Sequence, residues 1–203
     1  MENEILRIAR RIQSIAQAGL HYAENSFDRQ RYGELRELSV QLAAQLSEAP
    51  AGKIRDIFTC ETGFQTPKVD IRSVVLKDNK VLLVRERSDG RWALPGGFAD
   101  INYSPGEVAV KEVMEEAGLT ATVSRILAIT DTNRHNFPPL EYHYYKIVVL
   151  CDLKGGELRG SDETLEAGFF DFDSLPELSE KRNTPELFEL IRRQLECTLT
   201  YCD

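Results

Sequence analysis

The sequence predicts an α+β protein in which a mixed sheet lies between helices and follows a separate helical extension. Three observations lead to this prediction. Apolar residues recur at helical spacing from residue 3 to about 47, β-rich segments begin at Lys68, and two further helical patterns follow at 104–117 and 184–196. Strands and helices mixed along the chain in this way favour a sheet flanked by helices.

The helical extension, residues 1–62, contains two apolar stripes. Positions three and four apart share one face of a helix, and polar residues 24–26 separate the two runs: Ile5, Ile8, Ile12 and Ile15, then Leu35, Leu38, Leu42 and Leu46. A break at 49–52 precedes a short predicted helix at 53–59. Because two such helices bury little surface alone, we expect a homodimerisation element; a hairpin packed on its own domain is the alternative. The expected interface includes Ile8, Ile12, Leu38 and Leu42.

The second part of the chain, residues 63–203, contains the β-rich segments. Asp70 to Lys77 and Lys80 to Glu86 are predicted strands joined by a turn at Asp78 and Asn79. Three further strands are predicted, at 122–130, 142–152 and 165–172. The last helix, 184–196, has Pro185 in its first turn, a position that proline favours.

Composition and charge exclude several classes of protein. The net charge of −8 disfavours a stable complex with nucleic acid, because the phosphate backbone is also negative. No segment has the roughly 18 apolar residues that a membrane-spanning helix needs, and the acidic N-terminus lacks the pattern of a secretory signal. The four cysteines form no CxxC pair. These features predict a cytoplasmic protein with reduced thiols.

The helix predicted at 104–117 has clear start and stop signals. Ser104 is a capping residue, Pro105 suits the first turn, and Glu107 can complete a capping box. Gly118 is placed to end the helix. One apolar stripe follows the helix, formed by Ala109, Val110, Val113, Met114 and Ala117.

The opposite face of this helix is acidic. Lys111 lies four residues from both Glu107 and Glu115, which predicts one compensated row. Glu112 and Glu116, also four apart, are left without a cation from the helix. Two such carboxylates can bind a hard divalent cation, although a solvated acidic face is the common alternative. The preceding Pro-Gly-Gly at 95–97 permits close approach of the main chain to a ligand and favours the metal site.

This combination resembles the Nudix box, G-x5-E-x7-R-E-U-x-E-E-x-G-U. The residues that match it in register are Gly97, Glu112, Val113, Glu115, Glu116, Gly118 and Leu119. Two positions depart from it, because Tyr103 replaces the first glutamate and Lys111 replaces the arginine. The lysine keeps the charge but not the bidentate geometry. The resemblance implies a Nudix α/β/α sandwich and hydrolysis of a phosphoanhydride bond.

The resemblance also implies roles for individual residues. Catalysis would depend on Glu112, Glu115, Glu116 and Glu163. Of these, Glu112 and Glu116 would bind Mg²⁺ or Mn²⁺ together with the carbonyl oxygen of Gly96, and Glu115 would brace the helix through Lys111. The general base would come from the box or from a later loop, in which Glu163 and Glu166 are the candidates, with plain loop acidity as the alternative. Gly97, Lys111 and Gly118 are assigned structural roles in the box.

Two strand arginines complete the predicted site. Arg72 and Arg85 are candidates for binding the phosphates of the substrate, with a surface or structural role as the alternative. The N-terminal stretch is similar to the extension of a Nudix subgroup that includes CDP-choline and ADP-ribose pyrophosphatases. The predicted substrate is therefore a small nucleotide, with CDP-choline (giving CMP and phosphocholine) favoured over ADP-ribose. The competing class is a non-catalytic Nudix-fold nucleotide sensor, and activity on RNA ends is a third possibility.

Overall fold

The computed structural model describes residues 4–45, 50–60, 62–135, 137 and 142–203. Contacts divide these residues into two units, the first comprising the described residues up to 67 together with 142 and 143, and the second comprising the other described residues from 68 to 203. Within the described part of the chain, every helix is too short or too polar to cross a membrane.

Three helices form the N-terminal unit: α1 (Glu4–Tyr22), α2 (Ser26–Ala44) and α3 (Ala51–Thr59). The predicted pair of helices and the predicted short helix are therefore present. Helix α2 begins where the polar break was expected, because the side chain of Asn25 accepts the main-chain N–H of Asp28 at 2.8 Å. An asparagine at this position satisfies one of the donors that a helix start leaves open.

The predicted apolar stripes do not form the inner face of this unit. Its core is built from smaller or neighbouring positions: Leu6, Ala9, Val40, Ala43, Ile54 and Phe58. Ile8 is 41% exposed and Leu38 is 51% exposed. Ile12 is half-buried, Leu42 packs against the edge of the core, and Leu46 lies outside the described residues. A second apolar surface therefore remains on the outside of the unit.

Two buried amides connect α1 to the segment that follows α2. Gln13 is fully buried, and its Nε2 donates to the carbonyl oxygen of Phe58 at 2.6 Å and to Gln17 Oε1 at 3.1 Å. Gln17 in turn donates to the carbonyl oxygen of Gly63 at 3.1 Å. Helix α1 is thus held at two points by side-chain hydrogen bonds to main-chain oxygens.

The second unit is built on a mixed sheet. Its strands are β1 (Lys68–Lys77), β2 (Lys80–Glu86), β3 (Trp92–Ala93), β4 (Leu119–Asp131), β5 (Tyr144–Gly156), β6 (Thr164–Phe170) and β7 (Tyr201–Cys202). The order is β3-β2-β1-β5-β4-β7, with β6 also paired to β2. Strand β1 is parallel to β5 and β4 is parallel to β7, whereas the other pairs are antiparallel. The turn between β1 and β2 has positive φ at Asp78 and Asn79, 52° and 62°, as the favoured two-residue hairpin turn requires.

Helices cover both faces of this sheet. Successive residues of a strand point to opposite faces, so Val75 packs in one apolar cluster and Val74 in the other. Helix α4 (Pro105–Ala117) contributes buried side chains to the first cluster and α5 (Pro185–Glu196) to the second. The predicted α/β/α sandwich is therefore confirmed. In α4, Val108 is buried and Met114 is 37% exposed, the reverse of the predicted stripe at these two positions.

Candidate active site

Helix α4 is fixed at both ends in the way the sequence predicts. Ser104 Oγ accepts the Glu107 N–H at 3.3 Å, and Glu107 Oε2 accepts the Ser104 N–H at 2.8 Å, which completes a capping box. Gly118 ends the helix with φ of 72°, and a Cβ there would lie 2.6 Å from the carbonyl oxygen of Glu157. The buried apolar side chains of α4 pack against the sheet. This packing fixes the rotation of the helix about its axis and therefore the direction in which its acidic face points.

Glu116 is the central carboxylate of the site. It is only 5% exposed, and its Oε2 accepts the main-chain N–H of Gly96 at 2.9 Å. Burial raises the pKa of Glu116 to about 8, against the Gly96 N–H and Arg72, which lower it; the charges of Glu112 and Glu86 raise it further. Glu116 is thus a carboxylate whose charge its protein neighbours stabilise poorly, which is the condition that a bound cation relieves.

The glycine pair at 96–97 forms the other wall of the site. Gly96 has φ of 144°, and a Cβ there would lie 2.0 Å from the carbonyl oxygen of Ile71, so another residue does not fit. A Cβ on Gly97 would lie 3.6 Å from Glu112 Oε1. The carbonyl oxygen of Gly97 accepts the Ile71 N–H at 2.8 Å, which holds this turn against β1. The main chain of the glycine turn therefore runs directly beside both proposed metal carboxylates.

Lys111 contacts acidic residues on its own helix and in the loop before it, and its partners differ in part from the prediction. It contacts Glu115 at 3.1 Å, as expected, and also Asp100 at 3.2 Å and Glu112 at 3.8 Å. Glu107 is instead engaged with Ser104 in the capping box. The expectation that Glu112 has no cation from its own helix was therefore wrong. Because Lys111 is 30% exposed and shared among three acids, it compensates Glu112 only in part.

A further carboxylate, Glu86, lies beside the cluster and was missed from the sequence. It ends β2, is 5% exposed and pairs with Arg182 at 2.9 Å. Its charge is close enough to raise the pKa of Glu116. A glutamate at the end of a buried strand carries no sequence signal of this role, because only the fold brings its charge close to Glu116.

The two candidate arginines occupy different environments. Arg72 is 5% exposed and forms a buried pair with Asp70 at 2.9 Å, while its Nη1 donates to the carbonyl oxygen of Leu94 at 3.2 Å. Its charge nevertheless lowers the pKa values of Glu112 and Glu116, so it is part of the electrostatics of the site. Arg85 is half-exposed and pairs with Glu166 at 3.1 Å.

Glu163 lies in an exposed loop directly before β6. It directly precedes Thr164, which pairs with Glu86 of β2, and its charge raises the pKa of Glu112 and of Glu86, so Glu163 lies near the carboxylate cluster. Glu166, the other candidate base, is instead paired with Arg85 on β6. Tyr103, at the position of the missing box glutamate, is 50% exposed on the loop before α4.

The donor set fits a hard divalent cation. Among the residues that the structure describes, no three His, Cys, Asp or Glu side chains lie close enough together to hold an ion by side chains alone. Two carboxylates on one helix face and the main chain of Gly96 are nevertheless adjacent, since Gly96 touches Glu116 and Gly97 approaches Glu112. Carboxylate and carbonyl oxygens are the ligands that Mg²⁺ and Mn²⁺ prefer, with substrate phosphates and water completing the shell.

Comparison with known proteins agrees with this geometry. Residues 66–194 match the profile of the NUDIX domain, and residues 3–58 match the profile described as a UDP-X-like, N-terminal oligomerisation domain. A putative ADP-ribose pyrophosphatase of Bacillus subtilis is 45% identical over 95% of this chain and 94% of its own length.

Two solved structures are also similar. The crystal structure of a UDP-X diphosphatase is 35% identical with a TM-score of 0.65 and covers 100% of both chains. An ADP-ribose pyrophosphatase from Streptococcus suis is 40% identical with a TM-score of 0.62, over 68% of this chain and 100% of its own. The box residues, the sandwich around them and these similarities lead to one conclusion: the chain belongs to the Nudix hydrolase family.

Proposed function

We propose that this protein is a metal-dependent pyrophosphohydrolase that cleaves a nucleoside diphosphate linked to a second moiety. The observation that carries the proposal is the contact of buried Glu116 with the glycine turn, with Glu112 beside it on the same helix face. A bound Mg²⁺ or Mn²⁺ would neutralise the diphosphate and lower the pKa of a water molecule. The products are a nucleoside monophosphate and a phosphorylated second product.

Different residues would have different roles in this reaction. Glu112, Glu116 and the carbonyl oxygen of Gly96 would hold the ion, and Lys111 would keep Glu115 and Glu112 in place. Glu163, which lies near the cluster but remains exposed, would take a proton from the attacking water. As the water oxygen bonds to one phosphorus, the bridging P–O bond breaks and the other phosphate leaves. Arg72, which is buried, would act through its charge on Glu112 and Glu116. Arg85 is more exposed and would be the more accessible cation for the phosphates of the substrate.

ADP-ribose is the first substrate to test. The relative from Bacillus subtilis, similar over nearly its whole length, is described as a putative ADP-ribose pyrophosphatase. CDP-choline, which the N-terminal extension favours from sequence, and a UDP-linked moiety, suggested by the name of the similar diphosphatase, are the next two. All three candidate substrates contain a diphosphate, the group that an ion held by the carboxylate cluster would bind.

We also propose that the protein is a homodimer assembled through the N-terminal unit. Its outer surface carries exposed Ile8 and Leu38, and the profile that matches this region is described as an oligomerisation domain. A two-fold pairing of identical surfaces is the commonest way to bury such residues.

A substrate panel tests the activity. Each nucleotide would be incubated with Mg²⁺, with Mn²⁺ and with a chelator, and phosphate release measured after coupling to a phosphatase. We expect magnesium- or manganese-dependent turnover of at least one nucleoside diphosphate-linked compound. Tight binding of the nucleotides without turnover under any metal condition would instead support the sensor class.

A further inference from the structure

A chain of hydroxyl hydrogen bonds joins the loop that carries Glu163 to the end of α4. The Glu163 N–H donates to Ser161 Oγ at 3.1 Å, and Ser161 Oγ lies 3.1 Å from Thr164 Oγ1. Thr164 Oγ1 donates to the carbonyl oxygen of Glu116 at 2.7 Å. Because Thr164 uses its only proton on that carbonyl, the hydroxyl of Ser161 is the donor between the two side chains. The chain therefore runs from the main chain of Glu163 to the main chain of Glu116.

Thr164 lies in the interior of the protein and not at its surface. It is fully buried, and its Oγ1 also accepts the Ser161 N–H at 3.1 Å. On β6 it lies opposite Glu86 of β2. The last turn of a helix leaves carbonyl groups without intrahelical partners, and Thr164 satisfies one of them at Glu116.

Other contacts fix the rest of the loop. The Arg159 N–H donates to the carbonyl oxygen of Ala117 at 3.1 Å, next to the contact made by Thr164. From the turn directly after β2, Arg87 donates to the carbonyl oxygens of Asp162 at 3.0 Å and Ser161 at 3.1 Å. The side chain of Glu163 is exposed while the main chain around it is held from two sides. A group that transfers a proton must be accessible to the substrate and must also be held at a fixed position, because proton transfer requires hydrogen-bond distance.

We propose that Ser161 and Thr164 are positioning residues that set the distance between Glu163 and the metal carboxylate Glu116. The proposal rests on the roles assigned to those two glutamates above. Helix α4 is packed into the sheet by buried side chains such as Val113 and Ala117. Loss of a hydroxyl would therefore displace the exposed loop with Glu163, and leave Glu116 in place.

Three variants test this by separating turnover from metal and substrate binding. Thr164→Val and Ser161→Ala each break the chain, and Thr164→Ser keeps a hydroxyl. We expect kcat to fall about 10- to 100-fold in the first two, the range typical of residues that orient a catalytic group. KM and the magnesium concentration for half-maximal activity should not change, and Thr164→Ser should recover most of the loss. Thr184→Val is the matched control, because it removes a buried threonine hydroxyl that caps α5.

The control should lower the melting temperature without changing kcat. Parent kcat in Ser161→Ala and Thr164→Val would overturn the proposal. So would a raised magnesium requirement, because the hydroxyl would then act through Glu116. If Thr164→Val does not fold, the kinetics of Ser161→Ala alone test the proposal. In that variant Thr164 can still donate to the carbonyl oxygen of Glu116.

A double-mutant cycle separates this proposal from the role of Glu163 itself. Glu163→Gln should lower kcat strongly, and adding Thr164→Val should lower it no further, because the group that the hydroxyl positions is already gone. An independent further loss in the double variant would contradict positioning of Glu163. A single Glu163→Gln variant with parent activity would instead refute the proposed base, whatever the hydroxyl variants show.

Discussion

At the scale of single residues, we expect the buried carboxylate of Glu116 to serve metal binding rather than stability. We expect Glu116→Gln to lower kcat by about 100-fold or more, because the contribution of a metal ligand is worth several kcal/mol. The melting temperature of the metal-free protein should not fall, because the burial that raises the pKa of Glu116 disfavours its charged form, and a glutamine side chain never carries that charge. Steady-state kinetics and thermal unfolding in chelator measure the two effects. Glu189→Gln on the exposed side of α5 controls for loss of a charge, and parent activity in Glu116→Gln would exclude the ligand role.

Asp70 is the opposite case, a buried carboxylate that is paired with two buried cations. It pairs with both Arg72 and Lys146, and all three side chains are buried. Burial acts to raise the pKa of Asp70, but the two cations outweigh it and hold that pKa below its usual value.

Asp70→Asn would leave two buried cations with no negative charge between them. We expect the free energy of unfolding to fall by about 3–5 kcal/mol, the usual cost of removing one partner from a buried pair. Urea denaturation measures it. Asp173→Asn, which breaks an exposed pair with Arg192, should cause little change. Equal losses in the two variants would mean that the buried network is not important for stability.

Residues with a local sequence signal could be predicted, and those defined by distant contacts could not. Ser104, Glu107 and Gly118 follow short-range rules for helix ends, and the structure agrees with all three. Glu86 and Thr164 have no such signal, because their environment depends on the pairing of β2 with β6. Arg72 was predicted in a strand, but its burial beside Asp70 depends on the parallel neighbour β5.

At the scale of elements, Gly118 shows how the end of α4 is matched to the loop behind it. Gly118 and Gly90 have nearly the same φ, 72° and 71°, but only the Cβ of an alanine at 118 would meet other atoms within 4 Å. Both alanine variants should lose about 1–2 kcal/mol for the left-handed conformation. Gly118→Ala should lose distinctly more in chemical denaturation, because it also collides with Glu157. If the two variants are equally stable, the loop moves aside at no cost.

Lys111 joins α4 to the loop before it. We expect Lys111→Ala to lower the free energy of unfolding by only about 0–1 kcal/mol, as for other partly exposed ion pairs. The fall in kcat should exceed what this loss of stability explains, because Glu112 and Glu115 lose their shared cation. Denaturation and kinetics on the same preparation measure the difference, and unchanged kinetics would remove this role.

The periodicity of the sequence predicts where most elements lie but not which helix face is turned inward. Each helix and the main strands were found close to their predicted positions. In α1 the isoleucine stripe was the stronger signal, yet Leu6, Ala9 and Ala16 pack inside. Small residues on the inner face allow two helices to approach closely. The isoleucine stripe on the other face of α1 has the same helical spacing, so the spacing fits either face as the inner one. Only packing distinguishes the two faces.

At the scale of the whole molecule, the outward stripe predicts the state of assembly. We expect a dimer mass by light scattering at micromolar concentration. The double variant Ile8→Asp with Leu38→Asp should shift the mass to that of a monomer, because charged residues cannot be buried unpaired in an apolar interface. Leu199→Asp, at a residue that is 74% exposed in the other unit, is the control. A parent that is monomeric, or a double variant that stays dimeric, would contradict this interface.

The buried amides of Gln13 and Gln17 have a consequence for exchanging N-terminal helices between related proteins. Sliding α1 by one turn would move Gln13 away from the carbonyl oxygen of Phe58 and Gln17 away from that of Gly63. Each buried amide left without its partner costs about 1–3 kcal/mol, so these two side chains select one alignment among several that apolar packing alone would accept. A chimera that transplants α1 should therefore carry the matching segment around Phe58 and Gly63 with it, or it will populate mixed alignments.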